Sequence, residues 1–550
     1  MSGQSLFKWR KWEPSPLLSL VGLLVLYAFL YSSIRSAAVL REREYHNAIL
    51  CFRVYDSLLL VGLTTLLGLG TALRAKWMTW QELDEKGLTR AFFVVIAGVL
   101  VWALSTMSYN AYFGQSYLVD RALLVVLLSL CWWRPLFLLP LSVQIGCFAS
   151  QLHFPLPAGH WMWPDKLLLL DALILAACFF MLRAVFGRFI HRSALLSGVL
   201  CLIGATYGTA AWNKALIGPE LWSWVTENRV SNVFMSSYVQ SRWLGFLSEA
   251  QAQALARLLS RGDIFVTSFT WIVEASALTL FFSRRWAMLL LLLLCAMHVG
   301  IVLSTGIFFW KWILLDLTLL LVLFQLKSRP HEGPRFGWSW GCAGLCLGLL
   351  LMHQAPFVKF AWRDSRYVNF ARYTAVGKSG RRYPLDARFF APYDVLSTQA
   401  RFPYLTPRPT LVGTFGATGN FALGRLLDES PRSFLPTIFQ KYGRVRYSER
   451  ATVRFAKFMQ RFVRHRMDEP ERLWALNSLA PPRHFRNSRL PGSYRFQEPI
   501  TQVIVSWHEF SFFDQNLHQE RVIPLIQIPI AESAKVTSSN KSSAPTTKSP

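Results

Sequence analysis

Three ionisable side chains stand inside long apolar stretches of this chain. Lys214 ends the stretch Tyr207-Gly-Thr-Ala-Ala-Trp-Asn-Lys214, and Glu274 and His298 interrupt two later apolar stretches. A titratable group within a membrane helix is costly, so each of the three is a candidate functional residue. A lysine that is removed from water can accept a proton near neutral pH, and a carboxylate and an imidazole nearby could set its protonation state.

Each of these residues also has a structural interpretation. Lys214 could extend its amine to the outer membrane interface, and His298 could be a hydrogen-bonded packing residue. Glu274 needs either a partner or a proton. If Glu274 approaches Lys214, the pair would hold the lysine protonated and would clamp two helices together. No second histidine lies four residues after His298, so we expect no metal site.

The composition is that of a multi-pass membrane protein. Hydrophobic residues make up 53% of the 550 residues, and they occur in long uninterrupted runs. Stretches long enough to cross about 30 Å of hydrocarbon predict about nine to eleven spans. The candidate spans are residues 16–34, 57–73, 91–106, 118–131, 136–149, 166–182, 194–212, 264–282, 286–303, 307–324 and 337–352. The short spans 118–131 and 136–149 could be re-entrant segments or one broken helix.

Positive charge in the short loops predicts the orientation. With the N-terminus in the cytoplasm, most Lys and Arg residues of the short loops fall on the cytoplasmic side of a plasma or inner membrane. These residues are Lys8, Arg10, Lys11, Arg74, Lys76, Lys86, Arg90, Arg183, Arg188, Arg192, Arg284, Arg285, Lys327, Arg329 and Arg335. An odd number of spans then places the connection 218–263 and everything after Met352 on the exoplasmic face.

The composition divides the chain into a transmembrane domain (1–353), an exoplasmic soluble domain (354–530) and a polar, disordered tail (531–550). In the exoplasmic domain, residues 500–507 and 522–530 are typical of strands. Ser448 could cap a helix that places phenylalanines on one face and arginines and lysines on a neighbouring one. That helix could contact anionic lipid headgroups, or it could pack on a sheet with its charged face in water. The predicted fold is thus an α-helical multi-pass membrane bundle followed by a smaller mixed, β-containing domain.

Charge and motifs limit the partners. The net charge of +27 is spread over inner loops and the exoplasmic domain without a nucleic-acid motif, so membrane lipids are the expected partner and nucleic acid is not. All eight cysteines lie in or beside the membrane part, so no disulfide framework supports the exoplasmic domain. Phosphate-binding loops, dinucleotide-binding glycines, HExxH and GxSxG are not found, which leaves soluble-cofactor chemistry unsupported.

Three motifs, in order, resemble the HTTM (vitamin K-dependent γ-carboxylase-like) membrane-domain family. The stretch from Tyr207 to Lys214, followed by Pro219-Glu-Leu-Trp222, is similar to the family's Tyr-x-x-Ala-Gly-x-x-Lys and downstream tryptophan, with alanine in place of glycine. Phe269-Thr-Trp-Ile-Val-Glu274 resembles its acidic helix, and residues 297–309 resemble its histidine helix and the turn that follows. The resemblance covers residues 118–324. It implies that Lys214 is a base that deprotonates a reduced quinone of the vitamin K type.

One segment departs from the carboxylases. They carry an Asn-His motif that supplies a catalytic histidine, whereas residues 161–168 here read Trp-Met-Trp-Pro-Asp-Lys-Leu-Leu, with Lys166 opposite that histidine. Carboxylation of glutamate is therefore doubtful. The segment is closer to the Trp-x-Asp-x-Leu-Leu-Leu stretch of lipase maturation factors, membrane proteins that act on secreted lipases.

Two hypotheses follow. In the first, the membrane domain is an enzyme, vitamin K-dependent carboxylase-like in its site, that acts on a quinone-like or lipid substrate with Lys214 as base and with Glu274 and His298 controlling its proton. In the second, the chain is a non-catalytic maturation or assembly factor for a secreted or membrane client, and the three polar residues fasten helices together.

Overall fold

The computed structural model describes most of both predicted domains. The described residues are 15–54, 62, 79–83, 87–106, 112–151, 164–242, 244–326, 333–354, 361–390, 393, 402–413, 416–468, 479–483, 490–513 and 516–530. The predicted span 57–73 (apart from Gly62), residues 161–163 before Pro164, and the predicted tail 531–550 lie outside them. Among the described residues, a helical part is followed by a smaller part that contains a sheet.

The helical part consists mainly of apolar helices. A single helical turn at Cys51–Val54 lies between the first two of them in the chain. In chain order the helices are α1 Pro16–Ala38, α2 Leu88–Thr106, α3 Leu118–Trp133, α4 Leu138–Ser150, α5 Pro164–Phe186, α6 Ser193–Ala215, α7 Ser223–Glu227, α8 Val230–Val239, α9 Glu249–Ser260, α10 Asp263–Ser276, α11 Arg284–Thr305, α12 Trp310–Gln325 and α13 Trp338–Gln354.

Five of the helices in the described part are long and apolar enough to cross a membrane. These candidate spans are Pro16–Ser36, Leu88–Thr106, Leu168–Phe186, Ser193–Ala215 and Arg284–Thr305. Pro135–Ser150 and Trp338–His353 are apolar but shorter. The helical character predicted for these stretches is confirmed, and their length and composition are those of a membrane domain.

The structure gives more detail for three of the predicted spans. The short spans at 118–131 and 136–149 form two separate helices, α3 and α4, joined by a 3₁₀ turn at Pro135–Phe137. The span predicted at 264–282 is helical only to Ser276 and continues as a 3₁₀ turn at Ala277–Thr279. The connection predicted at 218–263 contains the three helices α7, α8 and α9.

Helix α6 is the central helix of the bundle, because every residue from 193 to 211 is buried. It packs against α1, α5, α10 and α13. Two glycines allow the 3₁₀ turn that continues α10 to come close: a Cβ on Gly204 would lie 2.9 Å from the carbonyl oxygen of Ala277, and one on Gly208 would lie 2.8 Å from the Leu278 side chain. Small residues at such a crossing let two helix backbones approach each other.

The smaller part is built on an antiparallel sheet. The strands are β1 Arg363–Asp364, β2 Tyr367–Gly377, β3 Arg382–Pro384, β4 Ala417–Thr418, β5 Ile500–Phe513 and β6 Asn516–Pro529. Strands β3, β2, β5 and β6 form one sheet in that order, and β1 pairs with β4. The strands predicted at 500–507 and 522–530 are confirmed as parts of the β5–β6 hairpin.

Three helices cover the sheet: α14 Phe421–Glu429, α15 Leu435–Tyr442 and α16 Glu449–Met467. The helix predicted after Ser448 is confirmed as α16, whose first turn is capped by the Ser448 hydroxyl accepting from the Ala451 amide at 3.3 Å. The phenylalanines predicted to share its face, Phe455, Phe458 and Phe462, are all buried in the core.

The basic side of α16 contacts the helical part. Arg461 donates to the hydroxyl of Tyr112 at 3.4 Å, and Arg454 lies 3.6 Å from the Glu42 carboxylate. Helix α16 therefore packs on its own domain through its apolar face, as one of the two interpretations of the sequence predicted, and two of its arginines also join that domain to loops between the apolar helices.

The sheet-containing part packs against one end of the bundle. The indole of Trp102, in the last turn of α2, donates to the Leu479 carbonyl at 2.7 Å. The indole of Trp310, at the start of α12, donates to the Pro482 carbonyl at 2.9 Å. Because α2 ends and α12 begins at this face, the C-terminal part covers the bundle end at which α6 also ends.

Candidate functional site

Lys214 and Glu274 form an ion pair inside the helical part. Lys214 lies in the last turn of α6 and Glu274 near the end of α10, and the lysine Nζ donates to both carboxylate oxygens, 2.5 Å from Oε1. The side chains are only 9% and 7% exposed. A lone buried charge would be strongly unfavourable, so each group needs the other to remain charged at this depth. The structure thus brings together two of the three predicted site residues.

The close crossing of α6 and α10 positions this pair. About three turns before Lys214, Gly204 admits the backbone of Ala277, and about two turns before it, Gly208 admits the Leu278 side chain. Above them, the indole of Trp271 on α10 donates to the Ala211 carbonyl of α6 at 3.1 Å. With both helices fixed in this way, the Lys214 and Glu274 side chains face each other across the seam between them.

An indole ring covers the lysine. The Nζ atom of Lys214 lies 5.0 Å from the ring centroid of Trp224, which belongs to the short helix α7. A cation over an indole face is stabilised by the quadrupole of the ring, more so when water is excluded. The ammonium is thus held by a carboxylate from one helix and an aromatic face from another.

The third predicted residue, His298 on α11, lies in an adjoining polar cluster. The Tyr207 hydroxyl is 2.8 Å from His298 Nε2 and donates to Asp316 Oδ2 at 3.0 Å. Tyr207, His298 and Asp316 are 1%, 3% and 0% exposed. Phe309 and Trp312 pack around the imidazole. Among the described residues, Asp316 Oδ1 has no hydrogen-bond partner.

The two clusters share one face of α6. Tyr207 precedes Lys214 by seven residues, which is close to two helical turns and about 10 Å along the axis. Glu274 is also close enough to Tyr207 to interact with it electrostatically. Helices α6, α10, α11 and α12 therefore contribute buried polar groups at two depths along this face of α6.

The sequence predicts His298 as a site residue, but it does not predict which side chains hydrogen-bond with it. Tyr207 was part of the motif around Lys214, and Asp316 shows the same signal as Glu274, a lone carboxylate in an apolar run. Lys166, which stands opposite the carboxylase histidine, lies in the first turn of α5, and its side chain is outside the described part. Within the described residues, no group of three His, Cys, Asp or Glu side chains is arranged to hold a metal ion.

A second set of charges joins α7 to the C-terminal part. Arg363 on β1 donates to Glu227 at 2.6 Å and to Asp428 at 3.0 Å, and Arg425 donates to Glu227 at 2.5 Å. Burial acts to raise the pKa of Glu227, but the hydrogen bonds from Arg425 and Arg363 hold it below its ordinary value. This cluster lies outside the apolar helices, and no sequence pattern indicated it.

Next to this cluster is a buried carboxyl group. Asp364 is 4% exposed, and burial raises its pKa to about 7, although hydrogen bonds with Asn228 and Trp362 act in the opposite direction. Its Oδ1 atom has no hydrogen-bond partner among the described residues. Asp364 is thus a titratable group at the junction of the two parts.

Comparison of the chain with protein-family models, with curated proteins and with solved structures finds no match in any of the three. A function for this chain therefore has to be argued from the chemistry and geometry of the site itself.

Proposed function

We propose that this chain is an integral membrane protein whose helical domain carries an acid–base site, Lys214 and Glu274 with His298 beside them, that acts on a quinone-like or lipid substrate. The observation that carries this proposal is the ion pair at less than a tenth exposure within apolar helices. Charged groups at such a depth are rare and concentrate at functional sites. The resemblance of the Lys214, Glu274 and His298 segments to the HTTM family supports the same assignment.

Lys214 acts as the base in this proposal, and the ion pair defines how it becomes one. An ammonium that donates to a carboxylate must first give up its proton. Transfer of that proton to Glu274 leaves a neutral amine beside a neutral acid, and the amine then takes the proton of a substrate hydroxyl. The product is a substrate oxyanion next to a new ammonium, which stabilises the charge where it develops.

His298 would belong to the same proton network. Its imidazole reaches Tyr207, which lies on the same face of α6 as Lys214. Charged and hydrogen-bonded groups in a buried site influence one another over such a distance, so the Tyr207–His298–Asp316 cluster contributes to the electrostatic environment of the ion pair from about two helical turns away. Carboxylation of glutamate is not part of the proposal, because residue 166 is lysine where the carboxylases have a catalytic histidine.

The orientation is also a proposal, and it follows from charge. Arg134, Arg284 and Arg285 lie at the bundle end opposite to the C-terminal domain. By the positive-inside rule that end is cytoplasmic, so the C-terminal domain is exoplasmic and the Lys214–Glu274 pair lies nearer the outer leaflet.

A non-catalytic maturation or assembly factor is the second candidate. The observation that favours it is that the ion pair joins α6 to α10 while Glu227, just beyond α6, is ion-paired with Arg363 of the C-terminal domain. Under this interpretation the pair is a clamp, and the exoplasmic domain binds a secreted or membrane client.

A charge exchange separates the two candidates. We would reconstitute the protein in lipid nanodiscs, supply a reduced isoprenoid naphthoquinone, and follow its oxidation by dissolved oxygen, which proceeds through the deprotonated quinol. Lys214→Met should lower the rate by about 10²–10⁴-fold, the usual contribution of a general base. The double variant Lys214→Glu/Glu274→Lys restores an ion pair but moves the amine, so it should remain inactive.

Lys311 supplies the matched control, because it is a lysine on neighbouring α12 that is only 2% exposed and also lies over an indole, that of Trp310. Lys311→Met should keep the wild-type rate. Wild-type turnover in the charge-exchange variant would contradict Lys214 as the base. Quinol oxidation by the wild-type protein at no more than the rate of empty nanodiscs would favour the non-catalytic clamp.

A further inference from the structure

Helix α7 contacts the intramembrane ion pair and the C-terminal domain at the same time. The ring of Trp224 lies over the Lys214 ammonium, with 5.0 Å between Nζ and the ring centroid. The indole N–H of the same side chain donates to the backbone carbonyl of Trp362 at 2.8 Å. One residue therefore links the lysine to the segment that begins the C-terminal domain.

The other end of α7 is fixed to the same segment. Glu227, its last residue, pairs with Arg363, which is 3% exposed. The Asn228 side chain, directly after the helix, accepts from the Asp364 amide at 2.8 Å. Three successive C-terminal-domain residues, Trp362 to Asp364, thus bind three positions in or next to a helix of one and a half turns.

We propose that α7 couples the C-terminal domain to the intramembrane site, so that the position of β1 determines whether Trp224 covers Lys214. A five-residue helix bound at both ends moves as one body with the strand that holds it. Displacement of β1, for example when a client binds the C-terminal domain, would withdraw the indole and open the Lys214–Glu274 pair. The inference rests on the proposed function, because it assigns to the C-terminal domain the regulation of that same site.

The test measures access to the Lys214 amine and not turnover. Protein in nanodiscs is treated with acetic anhydride, and acetylation of Lys214 is followed by mass spectrometry of its peptide. Trp224→Phe keeps an aromatic ring over the ammonium but removes the indole N–H that binds Trp362. We expect the Lys214 acetylation rate to rise by about fivefold or more, the lower end of typical coupling between two sites.

Trp310→Phe is the matched control. Trp310 also has a lysine over its ring, at 4.7 Å, and also donates its N–H to a C-terminal-domain carbonyl, that of Pro482, but it lies on α12. This variant should leave the acetylation rate of Lys214 within about twofold of wild type, well below a coupling effect. An equal rise in both variants would show general loosening of the domain contact and would overturn the proposal.

A second pair of variants tests the link from the side of the C-terminal domain. Arg363→Gln removes the ion pair with Glu227 and should raise the acetylation of Lys214, and Arg363→Lys should restore part of the protection. Arg432→Gln breaks another Arg–Glu pair of the same domain, with Glu520 at 2.9 Å, which does not involve α7. If Arg363→Gln and Trp224→Phe both leave Lys214 as protected as in wild type, the coupling does not exist.

These outcomes separate the inference from the proposed function. Increased acetylation in the α7 variants, together with full turnover in the charge-exchange variant, would retain the coupling and reject the acid–base site. Unchanged acetylation with an inactive Lys214→Met variant would do the opposite.

Discussion

Lys214 and Glu274 each hold a charge away from water, and each depends on the other to stay charged in that buried position. Breaking a buried ion pair by removing one partner leaves an uncompensated charge, whereas replacing both partners with apolar groups removes the desolvation cost of the two together. The contribution of this pair to stability can therefore be separated from its contribution to function.

The first prediction concerns the stability of variants of the pair. Lys214→Met and Glu274→Leu should each lower the free energy of unfolding by about 3–5 kcal/mol, because the remaining charge is buried alone. The double variant Lys214→Met/Glu274→Leu should unfold at a temperature equal to or above that of wild type. Thermal unfolding in detergent measures both effects. A double variant as unstable as the worse single one would mean that the site needs polar groups to fold.

Asp364 gives a prediction about pH. Burial raises its pKa from 3.8 to about 7, so the folded state binds the proton more tightly than the unfolded chain does. The stability due to that proton is complete below the unfolded pKa and is lost as the pH rises through about 7. Asp364→Asn mimics the neutral form. The free energy of unfolding of this variant should exceed that of wild type by an amount that grows from about pH 4 to pH 7 and levels off at no more than about 4 kcal/mol.

The comparison with wild type at each pH is the control for this prediction. His508 has the opposite effect, because burial and Arg372 lower its pKa to about 4, and its contribution is lost as the pH falls. That effect is present in both proteins and cancels in the difference between them. A constant difference between Asp364→Asn and wild type across this range would contradict the assignment of a proton to Asp364.

At the scale of the elements, the crossing of α6 and α10 determines whether the ion pair can form. The atom nearest to a Cβ on Gly204 is a backbone oxygen, that of Ala277, at 2.9 Å, and a backbone cannot move aside as a flexible side chain can. Any larger residue at this position must push the two helices apart, and Glu274 lies on the helix that would move.

We predict that Gly204→Ala destabilises the protein by about 1–3 kcal/mol, the usual cost of overpacking a close contact. It should also raise the acetylation of Lys214, because the carboxylate moves away from the amine. Gly300 on α11 is the matched control, since a Cβ there meets nothing within 4 Å. Gly300→Ala should be neutral or stabilising by up to about 1 kcal/mol through its helix propensity. Equal effects at both glycines would show that the crossing tolerates expansion.

The elements differ in how well the sequence predicts them. Helices such as α6, predicted at 194–212 and observed at Ser193–Ala215, are visible because apolar length is a one-dimensional property. The sequence predicts parts of β5 and β6 as strands at 500–507 and 522–530, and it predicts α16 from its periodicity, but it does not predict the pairing of the two strands in a hairpin. The break in helix type after Ser276 is not visible, since hydropathy does not distinguish an α-helix from a 3₁₀ turn.

The site itself could be predicted only in part. A lone carboxylate in an apolar run marks Glu274 and Asp316 as residues in need of a partner, but the run does not give the rotation of the helix about its axis. The pairing of Glu274 with Lys214, and of Asp316 with Tyr207, depends on that rotation. The link from Trp224 to Trp362 joins residues 138 positions apart and leaves no local pattern.

At the scale of the whole molecule, the two parts are joined by several side chains, one of which, Trp224, also contacts the site. The C-terminal domain contacts the bundle through tryptophans of α2, α7 and α12 and through arginines of β1 and α16. These contacts lie at the bundle end nearest to the Lys214–Glu274 pair. Among these contacts, the one made by Trp224 on α7 reaches both the C-terminal domain and the Lys214 ammonium.

The last prediction is the orientation of the molecule in the membrane. Arg134 and Arg285 are exposed at one end of the bundle, and Glu249 is exposed near the other, at the start of α9. In a Cys342→Ser/Cys346→Ser background, which removes the two exposed cysteines, single cysteines are introduced at these three positions. Positive charge favours the cytoplasm, so Glu249→Cys should react with a membrane-impermeant maleimide on intact cells, while Arg134→Cys and Arg285→Cys should react only after permeabilisation. The reverse pattern would put the C-terminal domain in the cytoplasm and remove the argument for an exoplasmic client. Labelling of all three positions before permeabilisation would show that this bundle does not separate two compartments.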